Sequence, residues 1–374
     1  MIVFPAEYDA RKEAVFAALA RAGGGGRRLR VWPVSARGFP ETGARVAEAL
    51  ARAKRQPRGP VGRALKRALL ALVYNGARRH FARHPGDVAV AWNGLTGMRR
   101  AFLAGARDAG APVLHAELAP FPGRITLDPA GVNAEGSVPQ DAAYFRDWAA
   151  ADPARQGDGW RALGAGLVAR PSRRADVGQA GAEGLPDTPF LFCPLQVPDD
   201  SQVTLFAGWC GGMAGFLAAL AGAAPHLPPG WHLRIKEHPS AKVPLGPMLA
   251  PLLATGRVVV DNATDSFAQV AASRGVVTLN SSMGLQSFFH DRPVVVLGRA
   301  FFALPGLVTV ADGPDALRAA FAGAEGLTFD PGLRGAFMGW LDSAYYPRFD
   351  WPGGAADDAA FAARIVEARA AARR

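Results

Sequence analysis

The residues best suited to chemistry fall in three short stretches of the second half of the chain. The first is Leu279-Asn280-Ser281-Ser282-Met283-Gly284-Leu285-Gln286, set between the apolar runs 275–279 and 293–298. Such runs read as buried parallel strands, so the whole reads strand, small polar turn, helix, strand: one βαβ unit. Small residues let a ligand approach the backbone there, and the unpaired N–H groups of a helix start favour an anion. Ser281 and Ser282 add hydroxyl donors, and a sugar nucleotide's phosphate suits the turn. An ordinary N-capped helix fits the same letters. The second stretch, Gln196-Val197-Pro198-Asp199-Asp200-Ser201-Gln202, follows a strand at 190–195. Its two carboxylates suit a nucleophile or base, and equally the N-cap of the next helix. The third, Lys236-Glu237-His238-Pro239, ends a strand at 232–236. A histidine such as His238 is a residue type that can exchange protons near neutral pH, Lys236 offers a fixed cation for phosphate, and Pro239 ends the strand. All three stretches sit at strand ends on one expected rim.

The first half supplies a second set of strand ends. A strand over 87–92 stops at Asn93-Gly94, and one over 112–117 stops at Glu117. Open α/β sheets bind ligands at such ends, which makes Glu117 a candidate base for a hydroxyl substrate. Around these strands the pattern predicts strands over 2–4 and 29–32 and helices over 10–21, 42–54 and 96–108. Residues 140–170 read as helical, and Arg170 to Asp187 reads as a linker, rich in Gly, Ala, Pro and charges. Beyond it come helices over 205–223, 266–272, 314–322 and 358–371. The expected organisation is α/β with two Rossmann-like domains, 1–182 and 183–374, facing an open cleft. No internal repeat is present.

With 374 residues, 49% hydrophobic and 20% charged, the chain is long enough for two buried cores. It has no apolar run of about 20 residues and no basic start with a cleavage pattern, so a cytoplasmic location is expected. Cys193 and Cys210 lack metal spacing and read as reduced core residues, and the seven histidines form no HExxH-type pair. No metal site and no cofactor are expected. The net charge of +10 favours anionic partners, although a GC-rich coding background would produce the same arginines. No acidic residue occurs from Ala49 to Gly86, whereas Arg52, Lys54, Arg55, Arg58, Arg63, Lys66, Arg67, Arg78, Arg79 and Arg83 do. Val61, Leu65, Leu69, Leu72 and Val73 recur between them at helical spacing. This pattern fits a helix lying on an anionic bilayer, and also a helix packed on its own domain by that stripe. Nucleic acid is not expected as a partner, since no binding motif accompanies the charges.

Taken together, the motifs resemble a known family. Pro194-Leu195-Gln196-Val197-Pro198-Asp199-Asp200-Ser201-Gln202 is similar to the PLQVxxDSQ element of capsule polysaccharide biosynthesis proteins, bacterial retaining β-Kdo transferases. Lys236 to Pro239 resembles their KxHP element, and Asn280 to Gln286 with Pro293 and Gly298 resembles their NSSxGxE…GxPV…G element. Asp128 to Ala134, including Asn133, resembles the DxxGVNA segment of single-module members. The resemblance covers roughly 88–310. It implies a GT-B-like fold, CMP-Kdo as donor and retention through two displacements. It matches Asp200 to the nucleophile, His238 to the group beside the donor's anionic groups, and Ser281, Ser282 and Gly284 to the nucleotide-phosphate turn. Gln196, Lys236, Asn280, Gln286 and Asn133 join the expected binding residues, with Gln286 departing from the usual Glu. Single-module members add the first Kdo to a lyso-phosphatidylglycerol acceptor. The implied setting is therefore an anionic glycerophospholipid at the cytoplasmic face of the inner membrane, within a capsule-assembly complex. Two alternatives stay open: a GT-B-like transferase or epimerase using another nucleotide sugar, and a non-catalytic peripheral component of polysaccharide export.

Overall fold

A computed structural model describes residues 1–169, 171–185, 187–242, 244–351 and 353–373. In chain order the first half contains β1 (Ile2–Pro5), α1 (Ala10–Ala22), β2 (Gly26–Leu29), α2 (Thr42–Ala51), α3 (Gly59–Arg83), β3 (Val88–Trp92), α4 (Gly97–Asp108), β4 (Val113–Leu118), β5 (Ile125–Asp128) and α5 (Ala142–Ala150). Then follow β6 (Phe190–Pro194), α6 (Ser201–Phe206), α7 (Met213–Ala223), β7 (His232–Lys236), α8 (Gly246–Leu253), β8 (Val258–Val260), α9 (Ser266–Ala272), β9 (Gly275–Thr278) and α10 (Ser282–Gln286). The last elements are β10 (Val294–Val296), β11 (Thr309–Val310), α11 (Pro314–Ala322), α12 (Pro331–Trp340) and α13 (Asp358–Ala371).

The chain forms two units. One comprises Met1–Ala119, Gly123–Val138 and Asp342–Arg374; the other comprises Pro120–Pro122 and Pro139–Leu341. This division differs from the boundary expected at 182/183. Residues 139–182 fold with the second unit, and the C-terminal stretch returns to the first because Phe361, Ile365 and Ala368 of α13 join its core.

The first unit is built on a sheet in the order β2-β1-β3-β4-β5, parallel except for β5. Side chains alternate across it. Ile2, Phe4, Val88, Val90 and Leu114 pack with α1 and α13 on one face. Val3, Ala89, Ala91 and Val113 pack with α2, α3 and α4 on the other. A sheet covered on both faces explains why these strands are apolar runs in the sequence. The second strand is Gly26–Leu29 rather than 29–32, because its register on β1 pairs Ile2 with Gly26.

The second unit holds a six-stranded sheet in the order β11-β10-β9-β6-β7-β8, parallel at every pairing described. The helix expected over 205–223 is two helices, since Gly208, Gly211 and Gly212 take φ of 60°, 66° and 151° between them. Of the stretch expected to be helical, the described residues 140–169 hold α5 and two 3₁₀ segments. The expected linker is anchored rather than loose. Arg173 N–H donates to the Pro239 carbonyl at 2.8 Å, Gly178 N–H to Asn262 at 2.8 Å and Ala180 N–H to Ala263 at 2.9 Å. Arg170 and Pro186 of that stretch lie outside the described residues.

Candidate functional site

The three motif stretches leave the C-terminal ends of β6, β7 and β9, which are neighbours in the order β9-β6-β7. Asp200 is the N-cap of α6: its Oδ1 accepts the Gln202 N–H at 2.8 Å. It is half-buried and its neighbour Asp199 is exposed, so the two carboxylates do occupy different environments. The capping and chemical readings of Asp200 are compatible, because capping engages one carboxylate oxygen.

A buried amide network holds α6 beside the β9 turn. Gln196 Nε2 donates to Asn280 Oδ1 at 2.9 Å, and Asn280 N–H donates back to Gln196 Oε1 at 3.4 Å. Asn280 Nδ2 donates to the carbonyls of Gln202 at 2.9 Å and Phe206 at 3.0 Å. Gln196 and Asn280 thus spend their amides on one another and on α6. Each fixes where Asp200 stands relative to Ser281 and Ser282.

The turn itself is a capped helix start. Ser281 Oγ accepts the Met283 N–H at 3.2 Å, and Ser281 N–H donates to Thr278 Oγ1 at 3.0 Å. The Met283 and Gly284 N–H groups are both bonded to Ser281, so they do not await an anion. Ser282, the first helical residue, is exposed. Gly284 has a packing reason: a Cβ there would lie 2.9 Å from Thr278 Cγ2 and 3.1 Å from the Phe302 ring. It brings α10 down onto the sheet and does not open a path for a ligand.

At the end of β7 the structure corrects the expectation for Lys236. Its side chain is 1% exposed. Nζ donates to the carbonyls of Gly178 at 2.7 Å and Asn262 at 3.1 Å and to that of Thr264. An ammonium has three protons, and all three are spent holding 178–180 against 262–264. Burial pushes its pKa down, opposed by Asp261 and Asp265. Lys236 is therefore a structural pin and not a phosphate ligand. Glu237, also buried, accepts from Arg174 Nη1 at 2.6 Å and from Leu245 N–H at 3.0 Å. His238 is half-buried, and its Nδ1 accepts the Ser240 N–H at 3.0 Å. A neutral imidazole held that way carries its proton on Nε2.

Gln286 donates from Nε2 to the Pro120 carbonyl at 2.8 Å. A glutamate carboxylate cannot make that bond, which gives the departure from Glu a physical consequence in this chain.

In the first unit, Asn93 and Glu117 do stand at the ends of adjacent parallel strands. Asn93 Nδ2 donates to Glu117 Oε2 at 2.9 Å. Asn93 has φ of 61°, and His115 Nδ1 donates to its carbonyl at 2.9 Å. Burial pushes His115 down to about 4, so it is a neutral donor that steadies this turn. Asn133, also at positive φ (53°), opens a short 3₁₀ turn and is half-buried. The centre of its segment is Asp128, which the sequence reading passed over. This buried carboxylate accepts from Ala130 N–H, Gly131 N–H, Ser137 N–H, Ser137 Oγ and Tyr345 Oη, all between 2.6 and 3.0 Å. The Asp-x-x-Gly spacing is a turn signature that marks the local part of this hub; nothing local marks Tyr345.

Comparison with known proteins fits this geometry. Residues 177–324 match the family described as "Capsule polysaccharide biosynthesis protein", a span containing all three strand-end motifs. Protein FixF of Sinorhizobium fredii is 30% identical over 283 residues, covering 75% of this chain and 66% of FixF. Capsule polysaccharide modification protein LipB of Neisseria meningitidis is 29% identical over 148 residues, 36% of this chain and 32% of LipB. The chain thus spans about two thirds and one third of these relatives. A solved structure titled "Thermosulfurimonas dismutans KpsC, beta Kdo 2,7 transferase" superposes with TM-score 0.52 at 14% identity, covering 98% of each chain. The fold is GT-B-like, with two Rossmann-like units, and residues 177–324 match the capsule polysaccharide biosynthesis protein family.

Proposed function

We propose that this chain is a retaining glycosyltransferase that moves β-Kdo from CMP-Kdo to a lipid acceptor of the lyso-phosphatidylglycerol type. The observation that carries the reading is the Gln196–Asn280 network, which fixes Asp200 beside the Ser281–Ser282 turn. In the first displacement an Asp200 oxygen bonds to the anomeric carbon as its bond to the CMP oxygen breaks, and CMP leaves with the electron pair. In the second the acceptor oxygen gives its proton to a base and displaces Asp200, so two inversions give retention. His238 Nε2–H and the Ser281 and Ser282 hydroxyls are donors for the leaving phosphate and the Kdo carboxylate. Glu117, steadied by Asn93, is assigned the acceptor's proton.

The test is CMP release and product mass with CMP-Kdo and a lyso-phosphatidylglycerol analogue. Kdo-dependent product is expected. Turnover of a different nucleotide sugar from a panel would replace the donor, and failure to bind CMP or CMP-Kdo would favour a non-catalytic component.

A further inference from the structure

The longest helix does something the core does not require. In its second half α3 buries Leu70, Val73, Tyr74, Ala77 and Phe81 in the first unit. Val61, Leu65, Leu69 and Leu72 are not among them: they are 71%, 68%, 46% and 36% exposed. At about 100° per residue these four fall within an arc of about 80°, turned away from the buried arc. The stripe is therefore an outward apolar face about three turns long. At its C-terminal end the loop 33–35 crosses the helix. Ser35 N–H donates to the Leu72 carbonyl at 3.0 Å, and a Cβ on Gly76 would lie 2.1 Å from the Pro33 oxygen. That close crossing sets Val34, 58% exposed, beside the stripe and extends it.

The charges around the stripe select its occupant. Arg55 and Arg58 precede the helix and are exposed, as are Arg63 and Arg67 on its reverse side, while Lys66 borders the stripe. No acidic residue occurs from 49 to 86 to offset them. A second protein chain would have to be acidic around an apolar strip. A bilayer with anionic headgroups supplies both features at once, and long basic side chains reach headgroups while leucines enter the acyl boundary. Among the described residues no helix is long and apolar enough to cross a membrane, so the contact is in the plane of the surface. We infer that the Val61–Leu72 face of α3, with Val34, docks this protein on anionic lipid. The inference rests on this geometry and charge and not on the transferase reading.

The test is sedimentation of the full chain with vesicles of phosphatidylcholine alone or mixed with phosphatidylglycerol, at low and high salt, with no sugar present. Binding to anionic vesicles is expected to fall with salt. Arg55→Gln/Arg58→Gln/Lys66→Gln should weaken it on the order of 100-fold, and Leu65→Ser/Leu69→Ser by at least about tenfold. Both variants change exposed or bordering side chains, and circular dichroism checks their fold. Equal binding to neutral vesicles, no binding, or binding that both variants leave unchanged would overturn the inference. So would a dimer in solution that Leu65→Ser/Leu69→Ser breaks, which would assign the stripe to a second copy.

Discussion

Asp200 is both a helix cap and the proposed nucleophile, and two substitutions separate the roles. Asn is as good an N-cap as Asp, so Asp200→Asn can keep the bond to Gln202 N–H, 2.8 Å long in the wild type. Its stability should stay within a few tenths of a kcal/mol of wild type, and CMP binding should persist. Asp200→Ala removes the cap and should cost about 1 kcal/mol. As a nucleophile Asp200 is irreplaceable by an amide. Both variants should therefore lose turnover by a factor on the order of 10³ or more, about 4 kcal/mol in the barrier. Urea denaturation gives the stabilities, and CMP release from CMP-Kdo with acceptor gives the rates. Mass spectrometry of wild type without acceptor should show a Kdo adduct on the Asp200 peptide, and Asp199→Asn should lose much less activity. Near wild-type transfer by Asp200→Asn would refute the reasoning, as would an activity loss in Asp200→Ala alone that follows its lost stability. Asp200 would then be a cap only.

Three further outcomes follow from the same geometry. Lys236→Met leaves three backbone carbonyls without their donor and should destabilise by about 3 kcal/mol or more, while CMP affinity per folded molecule, read by calorimetry, stays near wild type. Gln286→Glu replaces the donor to the Pro120 carbonyl with an acceptor and should cost about 1–3 kcal/mol in urea denaturation. Burial pushes the Asp261 carboxyl up, but hydrogen bonds from Thr264 and the Arg234 guanidinium outweigh it and hold it down at about 2 against an ordinary 3.8. Its contribution is thus present above about pH 4 and lost as pH falls towards 2, so Asp261→Asn should flatten the stability-against-pH curve in that window, measured by denaturation at each pH.

The sheets were legible because strands covered on both faces must be apolar throughout, as 190–194 and 294–296 are. The position of chemistry at strand ends followed from that. What was not legible depends on long-range partners. Nothing near Phe361 in the sequence says that α13 returns to the first unit's core. The stretch 172–180 reads as a linker because the hydrogen bonds that anchor it go to residues 58 or more positions away, several of them through backbone groups that carry no letter of their own. The stripe on α3 was visible, but periodicity alone cannot tell a face that packs from a face that points out. Only the burial of Leu70, Val73 and Phe81 on the other arc decides it.

The motif residues themselves divide by burial into two kinds, and the division explains their spacing. Gln196, Lys236, Asn280 and Gly284 are buried, and each is committed: amide to amide, ammonium to three carbonyls, a missing Cβ to Phe302 and Thr278. Asp200, His238, Ser281 and Ser282 are half-buried or exposed, and each lies one to four positions after a committed residue. A strand end can hold a reactive side chain steady only if something adjacent is locked, because the last strand residue fixes little beyond itself. Under the proposed mechanism each motif is thus a pair, an anchor followed by a proposed working group: Gln196 then Asp200, Lys236 then His238, Asn280 then Ser281 and Ser282. Substituting an anchor should act mainly through stability, and substituting a proposed working group mainly through turnover, beyond the helix cap lost at Asp200 or Ser281. That is why residue type by itself misled for Lys236: the cation best suited to phosphate is also the side chain best able to hold three carbonyls at once.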